Sequence, residues 1–324
     1  MNPTQLRHDL QLFDHQMSSS IAVVVVLYNP SSTALFPALQ AWLAQAAEVI
    51  CVNNGGGHLI RDQLLELGAG RIDFVEMGIN AGVGAAQNRG IQLARSLGCT
   101  HVLLSDQDSS PEPGMVEQLL RVESEAHSRG IDVSAVGPRQ LDTAAGHLSY
   151  FVQFGRFRFA RVDPVPPDDW VVADFLIASG SLIRMSVLEA VGPMDEGLFV
   201  DLVDTEWFLR ARHMGKVAIG ACGALLSHSL GEETLVIKLG RARTLPVHKP
   251  FRYHYMFRNS LVLYRRGYVR MAWVIPDIVR LFQMLLFFGV VHPARLKNLP
   301  MMLRGIFDGL RGVQGPMRER TIRE

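Results

Sequence analysis

The chain has three cysteines in 324 residues, Cys51, Cys99 and Cys222, scattered and without any C-x-x-C spacing. Their scarcity argues against a disulfide framework or a cysteine zinc site and fits a reducing compartment. The N-terminus has no basic segment followed by an apolar run, so no secretory signal is expected, and residues 1–20 read as a polar, poorly ordered tail. Internal repeats and low-complexity tracts are absent. A bilayer span needs roughly 20 apolar residues, and in "MAWVIPDIVRLFQMLLFFGVV" (271–291) Pro276, Asp277 and Arg280 interrupt the run.

Net charge is almost absent too, at +1, but its distribution is uneven. Residues 238–324 hold 17 of the 32 Lys and Arg and only 4 of the 31 Asp and Glu. An acidic body with a basic tail points to an anionic partner for the tail. The tail is arginine among aliphatics rather than lysine among exposed aromatics, which disfavours nucleic acid. Apolar helical stretches flanked by Arg265, Arg266, Arg270, Arg295 and Lys297 suit segments lying in a membrane interface, with a helical cap on the main domain as the plainer alternative.

A hydrophobic fraction of 48% supplies the core. "IAVVVVLYN" (21–29) is a continuous β-branched run, the pattern of a strand buried on both faces. "EVICVNNGGG", "RIDFVEM" and "HVLLSD" read as further strands. Helical spacing follows in "SSTALFPALQAWLAQ", where Pro37 needs a place in the first turns, and in "NAGVGAAQNRGIQLARSLG". Strands alternating with helices predict an α/β fold with a mostly parallel sheet, whose ligands bind beyond the carboxyl ends of the strands. Asn29, Asn53, Asn80 and Asp106 all fall near those ends. Beyond about residue 135 the pattern turns irregular. "YFVQFGRFRFARVDPVPPDDW" reads as a loop or irregular β, "VADFLIASGSLIRM" as a pair of short strands or one bent strand, and "VDTEWFLRARHMG" as a helix stopped by Gly215.

Three places could carry chemistry. In "LLSDQDSS", Asp106 and Asp108 stand at i and i+2, which in an extended segment point the same way. Converging carboxylates ask for a cation, and Mg²⁺ or Mn²⁺ is commonly held by one or two carboxylates plus substrate phosphates; a solvated turn is the plainer alternative. "GINAGVGAAQNRG" (78–90) places small residues ahead of a helix N-terminus that favours anions, although it is neither a full G-x-G-x-x-G nor a Walker A motif. "FVDLVDTEWFLRAR" (199–212) offers Asp201, Asp204 and Glu206 as general-base candidates, with Trp207 nearby to raise a pKa; acids simply favoured at a helix start are the alternative.

Taken together, "VVVVLYNP", "VNNGGG", "GINAGVGAAQNRGI", "LLSDQDSSP", "FLIASGSLIR", "MDEGLFVDLVDTEWFLRAR" and "HSLGE" occur in the order seen in family 2 glycosyltransferases of the GT-A fold. "DQDSSP", "VDTEW" and "RYHYMFRN" resemble the bacterial rhamnosyltransferase branch, of rhamnolipid, O-antigen and capsule type. The likeness spans roughly residues 21–315. It implies a GT-A catalytic domain over 21–237, with a nucleotide-binding half (21–135) and an acceptor-side half (136–237), followed by a basic, apolar helical region over 238–324.

The resemblance also implies roles. Asp106 would face ribose or metal, and Asp108 would be the main metal ligand, with His228 assisting. Tyr28, Asn29 and Asn53 would line the nucleobase pocket, although the family usually has Asp where this chain has Asn53. Asn80, Gly82 and Asn88 would approach the nucleoside and diphosphate, and Arg258 would neutralise diphosphate charge. Asp204 would be the catalytic base, with Glu206 and Trp207 on the acceptor side. The activity implied is an inverting, metal-dependent transfer of L-rhamnose from dTDP-L-rhamnose to a lipid or lipid-linked glycan. It would take place in the cytoplasm, peripherally on the inner face of the bacterial inner membrane, with Mg²⁺ or Mn²⁺ as cofactor. A UDP-galactose or UDP-GlcNAc donor on the same fold, and a non-catalytic membrane-surface scaffold, are the alternatives.

Overall fold

The computed structural model describes residues 20–317, apart from 47, 58–59, 143–145, 166–167, 229–233 and 240, and only the backbone over 234–239 and 241–246. The polar tail and most of "HSLGE" therefore lie outside the described residues.

The first half alternates as its sequence predicts. Strand β1 (Ile21–Leu27) leads to helix α1 (Ser32–Leu43), β2 (Glu48–Asn53), α2 (Arg61–Gly68), β3 (Ile72–Glu76), α3 (Val83–Ser96), β4 (His101–Asp106), the short β5 (Ser109–Pro111) and α4 (Met115–Ser128). The second half continues with β6 (Val133–Asp142), β7 (His147–Leu148), β8 (Phe151–Phe154), β9 (Phe159–Val162), β10 (Trp170–Ala173), β11 (Leu182–Arg184), α5 (Met185–Val191), a 3₁₀ turn (Glu196–Leu198), α6 (Val203–His213) and β12 (Val217–His228). Last come the hairpin β13 (Thr234–Leu239) and β14 (Arg241–Pro246), then α7 (Pro250–Leu263), α8 (Met271–Leu286), a π turn (Phe287–Val291) and α9 (Arg295–Leu310).

One sheet runs through both halves in the order β10-β12-β6-β11-β4-β1-β2-β3. Pairings β1–β2, β2–β3, β1–β4 and β6–β12 are parallel, while β11 is antiparallel between β4 and β6. The β-branched run of β1 explains its central place. Ala22 and Val24 enter one core with α3, α5 and α6; Val23, Val25 and Leu27 enter the other with α1, α2 and α4. Each such buried Val or Leu stabilises by roughly 1.5–3 kcal/mol, so a polar residue at Val24 would disrupt both sheet and α3 packing.

Strand order reverses at β1, with β2 on one side and β4 on the other. Beyond the carboxyl ends at that reversal a crevice opens, as open α/β sheets require. Pro37 sits in the second turn of α1, within the first turns where it is expected. Two sequence expectations change. The aromatic stretch over 151–162 forms a regular antiparallel hairpin, β8–β9. And α8 continues through Pro276, Asp277 and Arg280 into the π turn: the polar pair faces inward, where buried Asp277 accepts from Tyr264 Oη at 2.7 Å and Arg280 Nε at 2.8 Å. Among the described residues, 271–291 is the one helix long and apolar enough to cross a membrane by length and composition.

Candidate active site

The crevice is a cleft of about 730 Å³ lined by β1 and β4 ends, by the loops after β2 and β3, by residues 199–200, and by His228, His248, Phe251 and Arg252. Its floor is the turn after β4. Asp106 is the last residue of the strand, paired across from Val26, and residues 107–108 turn sharply into β5. The two aspartates are therefore brought together by a turn and not by an extended run, which corrects the expectation from i, i+2 spacing.

Gln107, between them, does the anchoring. Its Oε1 accepts from Tyr28 N at 2.8 Å and its Nε2 donates to Tyr28 O at 3.2 Å, fastening the turn to the exit of β1. Asp106 N donates to Ser179 Oγ at 3.0 Å, and Ser179 donates to Ser109 Oγ, which meets His228 Nδ1 at 3.0 Å. His228 Nδ1 also lies 3.5 Å from Asp108 Oδ1. The Asp106 side chain lines the open cleft yet is closely surrounded by protein atoms. Desolvation first, and Asp108 second, push its pKa from 3.8 to about 6.

Asp204 stands in the first turn of α6, where its Oδ1 accepts from Thr205 N at 2.7 Å and its Oδ2 from Ala178 N at 3.3 Å. Burial raises its pKa against those two hydrogen bonds, and its charge is felt at Asp106. Asp204 stands behind the cleft and is not among the residues that line it, although a carboxylate made more basic than usual has the chemistry for removing a proton from a hydroxyl. Trp207 is fully buried, donates to Gly192 O at 2.9 Å, and packs in the core.

Of the sequence-predicted residues, Tyr28, Asn80, Gly82, Asp106, Asp108 and His228 line the cleft. Asn29 follows Tyr28 in a left-handed conformation (φ 44°), its amide on Gly55 O at 2.8 Å, and serves the turn beside the cleft. Other expectations are corrected. Asn53 is buried and fully committed: Nδ2 reaches both Glu76 carboxylate oxygens (3.0 and 2.8 Å) and Oδ1 takes the amides of Gly55 and Gly57. It has no lone pair left for a base, and Asn54 lines the cleft in its stead. Asn88 clips α3 to the 194–196 loop through Met194 and Glu196. Arg258 is 1% exposed and spends its guanidinium on the carbonyls of Gly197, Leu198 and Gly315. Glu206 is buried against Arg210 and Tyr268, so neither it nor Trp207 can face an acceptor.

The cleft arginine that the sequence reading missed is Arg252, one and a half turns before Arg258. It pairs with Asp201 and lowers the Asp106 pKa by its charge. The signal was present in "RYHYMFRN": Arg252, Tyr255 and Asn259 share one face at i, i+3, i+7 spacing.

Among the described residues no trio of His, Cys, Asp and Glu is close enough to hold a metal unaided. The donors that are present, two carboxylates and an imidazole beside open space, fit a hard divalent cation that takes its remaining ligands from water and substrate phosphates.

A GT-A-like α/β sheet with this cleft at its strand reversal defines a nucleotide-sugar-handling fold. The chain matches the profile of Glycosyl transferase family 2 over residues 22–192, and it belongs to that family; it is a glycosyltransferase. Asp204 and α7 lie beyond the matched segment. The chain is 25% identical to the dTDP-rhamnosyl transferase RfbF of Shigella flexneri over 308 residues, covering 92% of this chain and 98% of that one. Two solved structures share the fold. One is GalNAc-T7 with UDP, GalNAc and Mn²⁺, at TM-score 0.55, 13% identity, covering 82% of this chain and 56% of that one. The other is Staphylococcus aureus TarS 1–349 with UDP-GlcNAc, at TM-score 0.55, 14% identity, covering 91% and 81%. The chain thus spans little more than half of GalNAc-T7.

Proposed function

We propose that the protein transfers L-rhamnose from dTDP-L-rhamnose to a hydroxyl of a lipid or lipid-linked glycan, with inversion at the anomeric carbon. The observation that carries the reading is the full-length likeness to the Shigella enzyme in a chain whose Asp106, Asp108 and His228 share a cleft floor within electrostatic reach of Asp204. Asp204 takes the proton of the acceptor hydroxyl as that oxygen attacks the anomeric carbon. Tyr28, Asn54 and Asn80 border the space for the nucleoside, and Arg252 brings positive charge to the leaving diphosphate. Asp106, Asp108 and His228 would hold Mg²⁺ or Mn²⁺, which supplies charge neutralisation of the diphosphate when bound. A single displacement needs no enzyme nucleophile, so configuration inverts.

The reading extends to location. Helices α8 and α9 expose Met271, Ile278, Phe282 and Leu286 on one and Leu296, Leu303, Phe307 and Leu310 on the other. Arg295, Lys297 and Arg311 flank them. Such a face suits peripheral attachment to an anionic inner leaflet.

The test is nucleotide release, without acceptor, from dTDP-L-rhamnose, UDP-galactose and UDP-GlcNAc, with and without Mg²⁺ or Mn²⁺. Cation-dependent release of dTDP, lost in Asp108→Ala and lowered about 10²–10⁴-fold in Asp204→Asn with donor affinity kept, is expected. Preferred release of UDP would overturn the donor. Catalysis unaffected by Asp204→Asn would overturn the base.

A further inference from the structure

The segment leading into α6 is strained. Phe199, Asp201 and Leu202 have φ of 66°, 61° and 62°, and none of them is glycine. Each such residue costs about 1–3 kcal/mol and persists only where its surroundings over-determine it. Here the surroundings are one stripe of α7. Arg252 pairs with Asp201, and the Tyr255 ring stacks on Phe199 at 5.1 Å between centroids. Arg258 Nη2 donates to Leu198 O at 2.8 Å and to Gly197 O at 3.2 Å.

Asn259 is the centre of this contact. It is fully buried, and its Nδ2 lies 3.0, 2.8 and 2.8 Å from the carbonyl oxygens of Leu198, Val200 and Asp201. Its Oδ1 accepts from Arg258 Nε at 2.9 Å, which fixes which end of the amide faces the loop. Three backbone acceptors converging on one nitrogen demand a donor. A carboxylate of the same shape would place acceptor against acceptor, and an apolar side chain would leave buried carbonyls unpaired.

We infer that Asn259, seated by Arg258, is a positioning residue for the general base. It holds the carbonyls of Leu198, Val200 and Asp201 in their strained path and so sets where the Asp204 carboxylate stands relative to the Asp106–Asp108 floor. The inference rests on the reading of Asp204 as base. It also ties the segment at Gly315 to this contact, because Gly315 O accepts from Arg258 and Gly315 N donates to Gly197 O at 2.7 Å.

The experiment measures acceptor-free hydrolysis of dTDP-L-rhamnose with Mn²⁺ by the full chain. The proteins compared are wild type, Asn259→Ala, Asp204→Asn and the double variant, with thermal melts alongside. A displacement of about 1 Å at a reacting group costs about 10²-fold. Asn259→Ala is therefore expected to lose that factor in kcat, with donor KM within about twofold and a cooperative melt. Because Asn259 acts through Asp204, the double variant should be no slower than Asp204→Asn alone. Factors that multiply instead would mean a merely structural role and overturn the inference. Asn259→Ser retains one donor and should fall between; it carries the same comparison if Asn259→Ala melts without cooperativity. An inactive Asp204→Asn beside a fully active Asn259→Ala would sink the inference and leave the base assignment standing. No loss in Asp204→Asn, or no release by wild type, would sink the base assignment and the inference with it.

Discussion

Gly82→Ala probes how closely the donor side and the base side of the cleft must approach. Gly82 caps α3 at φ 93°, and a Cβ there would lie 2.5 Å from Phe199 O and 2.8 Å from Phe199 Cα. The third neighbour is the ring atom Phe199 Cδ2 at 2.8 Å, but swinging that ring aside would leave both backbone clashes in place. Restoring ordinary contact, about 3.5 Å between heavy atoms, requires the 199–202 loop to retreat by roughly 1 Å, and Val83 N loses its 2.7 Å hydrogen bond to Phe199 O. At φ 93° and ψ 162° Gly82 also occupies a region essentially confined to glycine, which adds about 1–3 kcal/mol for any L side chain. A retreat of that size should lower kcat for donor hydrolysis about 10²-fold and shift the thermal midpoint downward. The matched control is Gly98→Ala, just past the other end of α3, with φ 75° and nothing within 4 Å of the added atom. It should show the conformational cost alone, about 1–2 kcal/mol, with turnover unchanged. The assay is nucleotide release under saturating donor, paired with urea melts of both variants. If Gly82→Ala turns over like Gly98→Ala, the approach of loop to turn is not what sets the rate, and the reasoning is wrong.

Three further outcomes are expected. Asn53→Asp, which replaces a buried donor with an acceptor, would set a carboxylate within 3 Å of the exposed Glu76 carboxylate; it should destabilise by about 1–3 kcal/mol at pH 7, as urea melts will tell. Asp106 has a pKa raised from 3.8 to about 6, so the fold holds more protons than the unfolded chain between those values. The metal-free protein should therefore lose stability as pH rises across that window, while Mn²⁺ affinity rises with pH up to about 6 because proton and cation compete; calorimetric titration at pH 5 and 7 checks this. Phe282→Asp with Phe307→Asp should abolish sedimentation with phosphatidylglycerol-containing vesicles while leaving soluble donor hydrolysis intact; retained sedimentation would refute the attachment face.

What could be read from the sequence follows from what kind of physics placed each residue. The parallel half was legible because β1 is a fully buried strand whose apolar run has no other stable use, and the strand-end residues Tyr28, Asn80 and Asp106 come with it. The turn geometry of Asp106 and Asp108 was not, since Gln107 sets it through a contact 79 residues away. Asn53, Asn88, Glu206 and Arg258 misled for one reason: each is a polar residue beside a motif, and only the fold reveals that its hydrogen-bonding capacity is already taken by the chain. Arg252 was hidden in the same way, for its partner Asp201 lies 51 residues earlier. Along helix α8 Asp277 and Arg280 interrupt the apolar run in one dimension, whereas around the helix they pair with each other, Asp277 buried and Arg280 partly so, and leave an apolar outer face.

The sheet itself bears on how such an enzyme can move. Donor-side strands β1–β4 and strands β6, β11 and β12 are hydrogen-bonded into one continuous layer, with β11 stitched antiparallel across the join. Two lobes swinging about a hinge would have to tear that layer, so the enzyme cannot clamp its substrates as a bilobed kinase does. Closing on substrate is left to short spans beyond the strand ends, such as the 54–57 and 78–82 segments, and not to the 197–202 segment that α7 holds in place. Ordering those loops is then where binding energy from the nucleotide would be spent, and sequence change there would alter which sugars and acceptors are admitted while the layer beneath stays as it is.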